Sequence, residues 1–276
     1  MPQTSFGPNQ PKVTPPASPE IPAQVPTVNF FFVHPAPWMR EEMIPAFIRA
    51  EIPAHGIAQF NILPRVCRKY ANSVFILNAD QGPEGERANW PQTLAAIAGI
   101  LIETHATIIF IARGLTQTRK DELRLLGIAI NFIELNQASK TLTEQIYTVA
   151  NALSQKGQRR SIRVNCAQTV SAFYNLLVEN QQYRGELSDI SSAGMAAVLP
   201  DPYPFNIIEG YELNGLQLKL KGSLVLVQAI VAAVRKNHGQ SVMVCLFRWG
   251  DDKRSLERIH SFIGSRLQEN LDQLII

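Results

Sequence analysis

Three arginines fall within five positions in QRRSIRVN, at Arg159, Arg160 and Arg163, where a helical pattern gives way to a strand-like one. Their charge is fixed, and each guanidinium offers a planar fork of donors suited to an anion or to paired acceptors. Further on, SDISSAGMAAV (188–198) breaks a hydrophobic strand with Asp189, Ser191 and Gly194. A carboxylate accepts hydrogen bonds, a hydroxyl does either, and a glycine permits a turn or a close backbone approach. Each stretch also has a plain structural reading. Clustered arginines serve as a solvated linker or pair with neighbouring acids, and DISSAG makes an Asx or Ser turn at a strand end. Phe247 and Trp249 read as core rather than as stacking surface, and Arg184 and Lys236 as solvated strand and turn residues.

The elements that must position these groups come in two kinds. TVNFFFV (27–33), IAQFNIL (57–63), SVFILNA (73–79), TIIFIAR (107–113) and IAINFIEL (128–135) are short apolar strands. Between them lie helical patterns at WMREEMIPAFIRAEI, PRVCRKYA, about 90–104 and TRKDELRLLG, and SKTLTEQIYTVANALSQ closes the series. Strands alternating with amphipathic helices predict a (βα)5 parallel sheet, flavodoxin-like or receiver-like, over residues 28–153. From 154 the linker SQKGQ follows and the period drops to two: Leu216, Leu218 and Leu220 alternate with Gln217, Lys219 and Lys221. With IRVNCAQTVSAFYNLL, QYRGELSDIS, SLVLVQAIVAAV and SVMVCLFRW, this predicts a closed six-stranded antiparallel barrel over 154–276. KNHGQ is a hairpin turn. A C-terminal helix is capped by Asp251 or Asp252 and carries a stripe of Leu256, Ile259, Phe262, Ile263, Leu267 and Leu271. Residues 1–27 hold eight prolines among polar residues and are expected to be a disordered tail.

Composition narrows the function. Of 276 residues, 26 are basic and 23 acidic; the small excess falls after residue 150, where 14 basic side chains meet 11 acidic ones. That suits a small anionic ligand and is too little for bulk nucleic-acid binding, and no helix carries a basic face. Cys67, Cys166 and Cys245 share no CxxC spacing, which fits a reducing compartment, the cytoplasm. The five histidines show no metal-ligand spacing and read as surface or boundary residues, so no metal or cofactor is expected. The most apolar window, 93–112, contains Glu103 and His105, so it reads as a buried helix and strand rather than a membrane span.

The first half resembles the response-regulator receiver in layout but lacks its chemistry. Strand one ends in His34 and Pro35, where receivers have paired acids for a metal. Strand three ends in Asn78, an amide that cannot accept a phosphoryl group as a carboxylate does; Asp80 lies two residues on. Ala112 replaces a hydroxyl residue, and Leu135 a lysine. No glycine-rich loop follows strand one to hold a flavin or dinucleotide. The expectation is a degenerate receiver that serves geometry or a protein partner.

The second half resembles the PilZ family, whose members bind the messenger cyclic di-GMP. The family's marks are RxxxR, here Arg159 to Arg163, and [DN]xSxxG, here Asp189, Ser191 and Gly194. The resemblance implies a ligand site of Arg159, Arg160, Arg163, Asp189, Ser191 and Gly194. An arginine fork matches guanine O6 and N7, and a carboxylate accepts from guanine N1 and N2. It also implies a non-enzymatic receptor in motility or biofilm signalling, with the linker at 154–163 loose until it wraps the ligand and alters the interdomain angle. Gln158 in place of a further basic residue points to one bound messenger molecule rather than two. The alternative is a PilZ-fold interaction protein of motility or envelope machinery that binds no nucleotide.

Overall fold

The computed structural model describes residues 28–78, 89–134, 139–154, 161–166, 172–203, 207–237 and 239–274. The expected tail at 1–27, Arg159, Arg160, Asp80 and Leu135 lie outside these.

Five strands form a parallel sheet: β1 (Phe30–Val33), β2 (Ala54–Ile57), β3 (Val74–Asn78), β4 (Thr107–Ala112) and β5 (Ala129–Glu134). Their order is β2-β1-β3-β4-β5, that of a flavodoxin-like sheet. Strand β1 explains why both faces are covered. All four of its residues are buried, and alternation sends Phe30 and Phe32 to one face and Phe31 and Val33 to the other. Phe30 and Phe32 meet Phe47 edge-on at 5.5 and 5.4 Å, on helix α1 (Ile44–Arg49), which continues a π-helical turn at Met39–Met43. Ile146 and Ala150 of α6 (Ser139–Ser154) join that face. The other face receives α2 (Leu63–Lys69), α3 (Trp90–Ala95), α4 (Ala98–Glu103) and α5 (Gln117–Arg124), through Leu63, Trp90, Leu101 and Leu123.

Two sequence expectations shift here. The strand expected at 57–63 lies at Ala54–Ile57 instead, and Phe60–Ile62 form a 3-10 turn leading into α2. Ala54 and Gly56 have weak strand propensity, which hid the strand, while Ile62 and Leu63 extend the apolar run because they bury the start of α2. The helix expected at 90–104 is two helices. The chain tightens at Ile97, whose N–H bonds to the Leu94 carbonyl three residues back.

The barrel closes through β7 (Ala172–Val178), β8 (Gln181–Ser191), β9 (Gly194–Val198), β10 (Glu212–Leu220), β11 (Ser223–Asn237) and β12 (Gln240–Arg248). Each neighbour in the ring β8-β7-β10-β11-β12-β9 is antiparallel, and β8 meets β9 to close it. The segment from 162 to 177 carries two strands. Strand β6 (Arg163–Asn165) lies along residues 189–191 of β8, and β7 along residues 181–186. Helix α7 (Lys253–Asp272) follows, its N-cap Asp252 accepting from the Ser255 N–H at 3.0 Å. Of the expected stripe, Ile259, Phe262, Ile263 and Leu271 are buried, and Leu256 and Leu267 are half-buried. Cys67, Cys166 and Cys245 are free and buried. Among the described residues no helix is long and apolar enough to cross a membrane.

Helix α7 also joins barrel to sheet. Strand β2 is the sheet's edge, and the Gln268 side chain satisfies it like a short strand. The Gly56 N–H donates to Gln268 Oε1 at 2.9 Å, and Gln268 Nε2 donates back to the Gly56 carbonyl at 2.9 Å. The two halves share one continuous apolar core, from Phe30 and Phe47 through Phe262 to the barrel interior. The barrel therefore does not hang on a linker alone.

The histidines need correction: His55 is 1% exposed and His260 8%. Strand alternation turns His55 into the sheet face, stacked on Phe31 at 4.8 Å. Burial pushes its pKa down to about 4, with a smaller upward contribution from the Leu267 backbone. The unfolded chain then takes up a proton at His55 before the folded one does. Stability is full above about pH 6.5 and falls as pH drops towards 4, by about 3 kcal/mol from this residue. Denaturant unfolding of wild type and His55→Gln at pH 7 and pH 4.5 should show the smaller acid loss in the variant. Equal losses would place the acid sensitivity elsewhere.

Candidate functional site

Strand register brings the two motif stretches together. On β6 and β8, Arg163 lies opposite Ser191 and Asn165 opposite Asp189, while Val164 and Ile190 between them are buried in the barrel. Arg163 and Asp189 thus share the outward face. Arg163 Nε lies 3.4 Å from Asp189 Oδ1, with half of the arginine side chain and about a quarter of the carboxylate exposed (51% and 27%). This is a solvent-facing fork and acceptor side by side, joined by an ion pair of small energetic weight.

Ser191 and Gly194 do something different. Ser191 is buried, and its Oγ both accepts from the Gly194 N–H and donates to the Gly194 carbonyl, each at 3.2 Å. A Cβ on Gly194 would stand 2.1 Å from the Cys245 carbonyl oxygen on β12, so only glycine lets β9 pack there. Both residues shape the β8–β9 turn. Strand β12 and the residue after it clamp that turn: the Phe247 N–H donates to the Ala193 carbonyl at 2.9 Å, and Trp249 Nε1 to the Ser192 carbonyl at 2.7 Å. Phe247 is core, as expected; Trp249 is half-buried, edge-on to it at 5.2 Å. Burial pushes the Cys166 and Cys245 thiols up to about 12, which leaves them protonated and inert.

A further cation flanks β6. Arg266 of α7 donates from Nη2 to the Asn165 carbonyl at 3.4 Å and is ion-paired with Glu269, which also pairs with Lys221 in the β10–β11 turn. Nothing in the local sequence marks Arg266, because its place beside β6 depends on how α7 docks. Arg184, expected to be solvated, lies over the Phe173 ring at 4.6 Å. Two grooves of about 380 and 370 Å³ run along α7 where it meets α1 and β2, and no motif residue lines either.

At the C-terminal edge of the parallel sheet, β1 runs into His34 in a left-handed conformation (φ 47°), β3 ends at Asn78 and β4 at Ala112. Burial and then nearby Arg40 lower the His34 pKa. Among the described residues no group of three or more His, Cys, Asp or Glu side chains gathers for a metal. With an amide at the end of β3, incubation with a small-molecule phosphodonor and Mg²⁺ should add no acid-labile phosphate. A stoichiometric mass gain at Asp80 would overturn this expectation.

Residues 157–265 match the family model for the PilZ domain. The barrel is a PilZ domain. Similar solved structures include the PilZ domain of YcgR from Escherichia coli with cyclic di-GMP, 17% identical, covering 42% of this chain and 96% of that one, with a TM-score of 0.38. K. pneumonia MrkH in its cyclic di-GMP complex is 21% identical, covering 37% and 50%, with a TM-score of 0.34. The Bacillus subtilis inhibitor of motility, MotI/DgrA, is 16% identical, covering 42% and 53%, with a TM-score of 0.35. The chain thus spans nearly all of the isolated YcgR domain and about half of the two longer proteins. No curated protein matches the sequence significantly. Within this PilZ domain, strand β6 begins at the last arginine of RxxxR, and [DN]xSxxG runs from the end of β8 into β9.

Proposed function

We propose that the protein is a non-catalytic receptor for cyclic di-GMP, bound by Arg159, Arg160, Arg163 and Asp189 at the β6–β8 edge, with Ser191 and Gly194 shaping the turn beside them. The observation that carries this is the 3.4 Å approach of Arg163 to Asp189 on one exposed face. Guanine needs such a neighbouring pair: a donor fork for O6 and N7, and an acceptor for N1 and N2. The Arg159–Arg163 spacing adds fixed charge for the phosphates. Three free, buried thiols suit a cytoplasmic location. We divide the chain into a tail (1–27), a receiver-like domain (28–153) and the PilZ domain (154–276). The receiver-like domain contacts a protein partner in motility or biofilm control; no nucleic acid is bound.

Calorimetric titration with cyclic di-GMP tests this, and saturable binding of one messenger molecule per chain is expected. Asp189→Ala should bind more weakly and lose part of its preference over cyclic di-AMP, because adenine lacks guanine's paired N1 and N2 donors. A folded protein that takes up no cyclic di-GMP is instead a PilZ-fold interaction protein of motility or envelope machinery.

A further inference from the structure

The arginine segment is tied to the receiver-like half by one carboxylate. Glu51 ends helix α1. Its Oε2 accepts from the Ile162 N–H at 2.8 Å, and its Oε1 lies 3.2 Å from His260 Nε2 on α7. Ile162 is the residue just before Arg163, and it is 6% exposed. Since a carboxylate only accepts, the ring hydrogen of His260 sits on Nε2, and Glu51 spends both oxygens on groups from the other half of the chain. The Glu51 side chain is 22% exposed, so this charge-assisted contact is partly shielded from water.

A second observation makes the choice of glutamate informative. The Ile52 N–H bonds to the Phe47 carbonyl and the Glu51 N–H to the Ile48 carbonyl, the paired bonds of a Schellman helix end. Glu51 occupies the left-handed position of that motif, at φ 62°, where glycine is the favoured residue. Backbone geometry thus argues for glycine. A side chain kept there needs another reason, and the two contacts supply it.

We infer that Glu51, held by His260, is a positioning residue for the ligand site: it pins the end of the arginine segment to α1 and α7, so that the receiver-like half sets how readily the site forms. The inference rests on the cyclic di-GMP reading for its ligand. It reverses the expectation of a linker loose as far as residue 163. The segment is anchored at Ile162, one residue before Arg163. An anchored end lowers the ordering cost of binding. Messenger binding and the seating of α1 against α7 are thereby linked, each favouring the other.

The test compares Glu51→Gly, which suits the backbone and removes the carboxylate, with Glu51→Gln, whose amide oxygen still accepts from Ile162. Amide hydrogen exchange by NMR reads the clasp directly. In Glu51→Gly the Ile162 amide should exchange roughly 10- to 100-fold faster while the barrel-core amides keep their protection. Its cyclic di-GMP affinity should fall roughly 10-fold, and Glu51→Gln should recover most of both losses. Wild-type exchange at Ile162 in Glu51→Gly would overturn the clasp. Unchanged or tighter messenger binding despite faster exchange would overturn the positioning role. If the wild-type protein binds no cyclic di-GMP, the receptor reading fails by itself and the exchange result alone judges the clasp.

Discussion

The double substitution Arg159→Ala with Arg163→Ala is expected to abolish cyclic di-GMP binding while leaving the protein folded. Arg163 is half-exposed on β6, and its partner Asp189 is reached across the barrel edge rather than through the core. Removing the side chain opens no cavity, and a solvent-facing ion pair contributes little to stability. Binding is another matter. Each bidentate contact to guanine is worth about 1–3 kcal/mol, so one arginine change should weaken affinity roughly 5- to 150-fold. The two changes together remove both contacts and two fixed charges from a dianionic ligand, which takes affinity below a calorimetric measurement. Arg160→Ala should cost less if the segment binds extended, where neighbours point to opposite sides, and if one messenger molecule is bound. A folded double variant that binds with wild-type affinity would refute the whole site assignment.

Gly194→Ala is expected to show the opposite pattern, a loss of stability with binding lost as a consequence. The added methyl would fall 2.1 Å from the Cys245 carbonyl oxygen, a main-chain atom of the neighbouring strand. No side chain can rotate away to relieve that contact, so β9 must separate from β12. That pairing, Gly194 opposite Leu246 through Val198 opposite Val242, is one of the two that close the barrel around β9. Overpacking of this kind costs about 3 kcal/mol, which lowers the melting temperature by roughly 5–10 °C in a chain of this size. Thermal unfolding followed by circular dichroism measures it directly. The arginine variant should melt with wild type, and Gly194→Ala well below it. Equal melting temperatures for Gly194→Ala and wild type would show that the strands do not need so close an approach.

The architecture was legible because burial imposes periodicity. Phe30 to Val33 read as a strand covered on both faces because every residue is apolar, and Leu216, Leu218 and Leu220 read as one wet-sided strand because they alternate. The α7 stripe and a cap at Asp251 or Asp252 were visible for the same local reason, and the structure uses Asp252. Strand β2 was misplaced because its position comes from pairing with β1, Phe30 opposite Ala54 through Val33 opposite Ile57, and not from its own weak strand formers. His55 looked like a surface residue because no local pattern records that the edge strand turns its ring onto Phe31.

The site divides along the same line. The sequence by itself determined which side chains are suited to a dianionic purine ligand, since charge, donor count and acceptor count belong to residue type: Arg159, Arg160, Arg163 and Asp189. Only the tertiary structure decided what Arg163, Asp189, Ser191 and Gly194 meet. The β6–β8 register sets Arg163 beside Asp189, the Ser191 hydroxyl bonds back to Gly194, and β12 packs against Gly194, so these two residues build the turn. The docking of α7 brings His260 to Glu51, and through Glu51 fastens Ile162 to the other half of the molecule. Glu51 and Ile162 are 111 residues apart, and Glu51 and His260 are 209 apart. Hydrogen bonds at such separations leave no periodic trace in either segment, because they exist only once both have folded against the same helix.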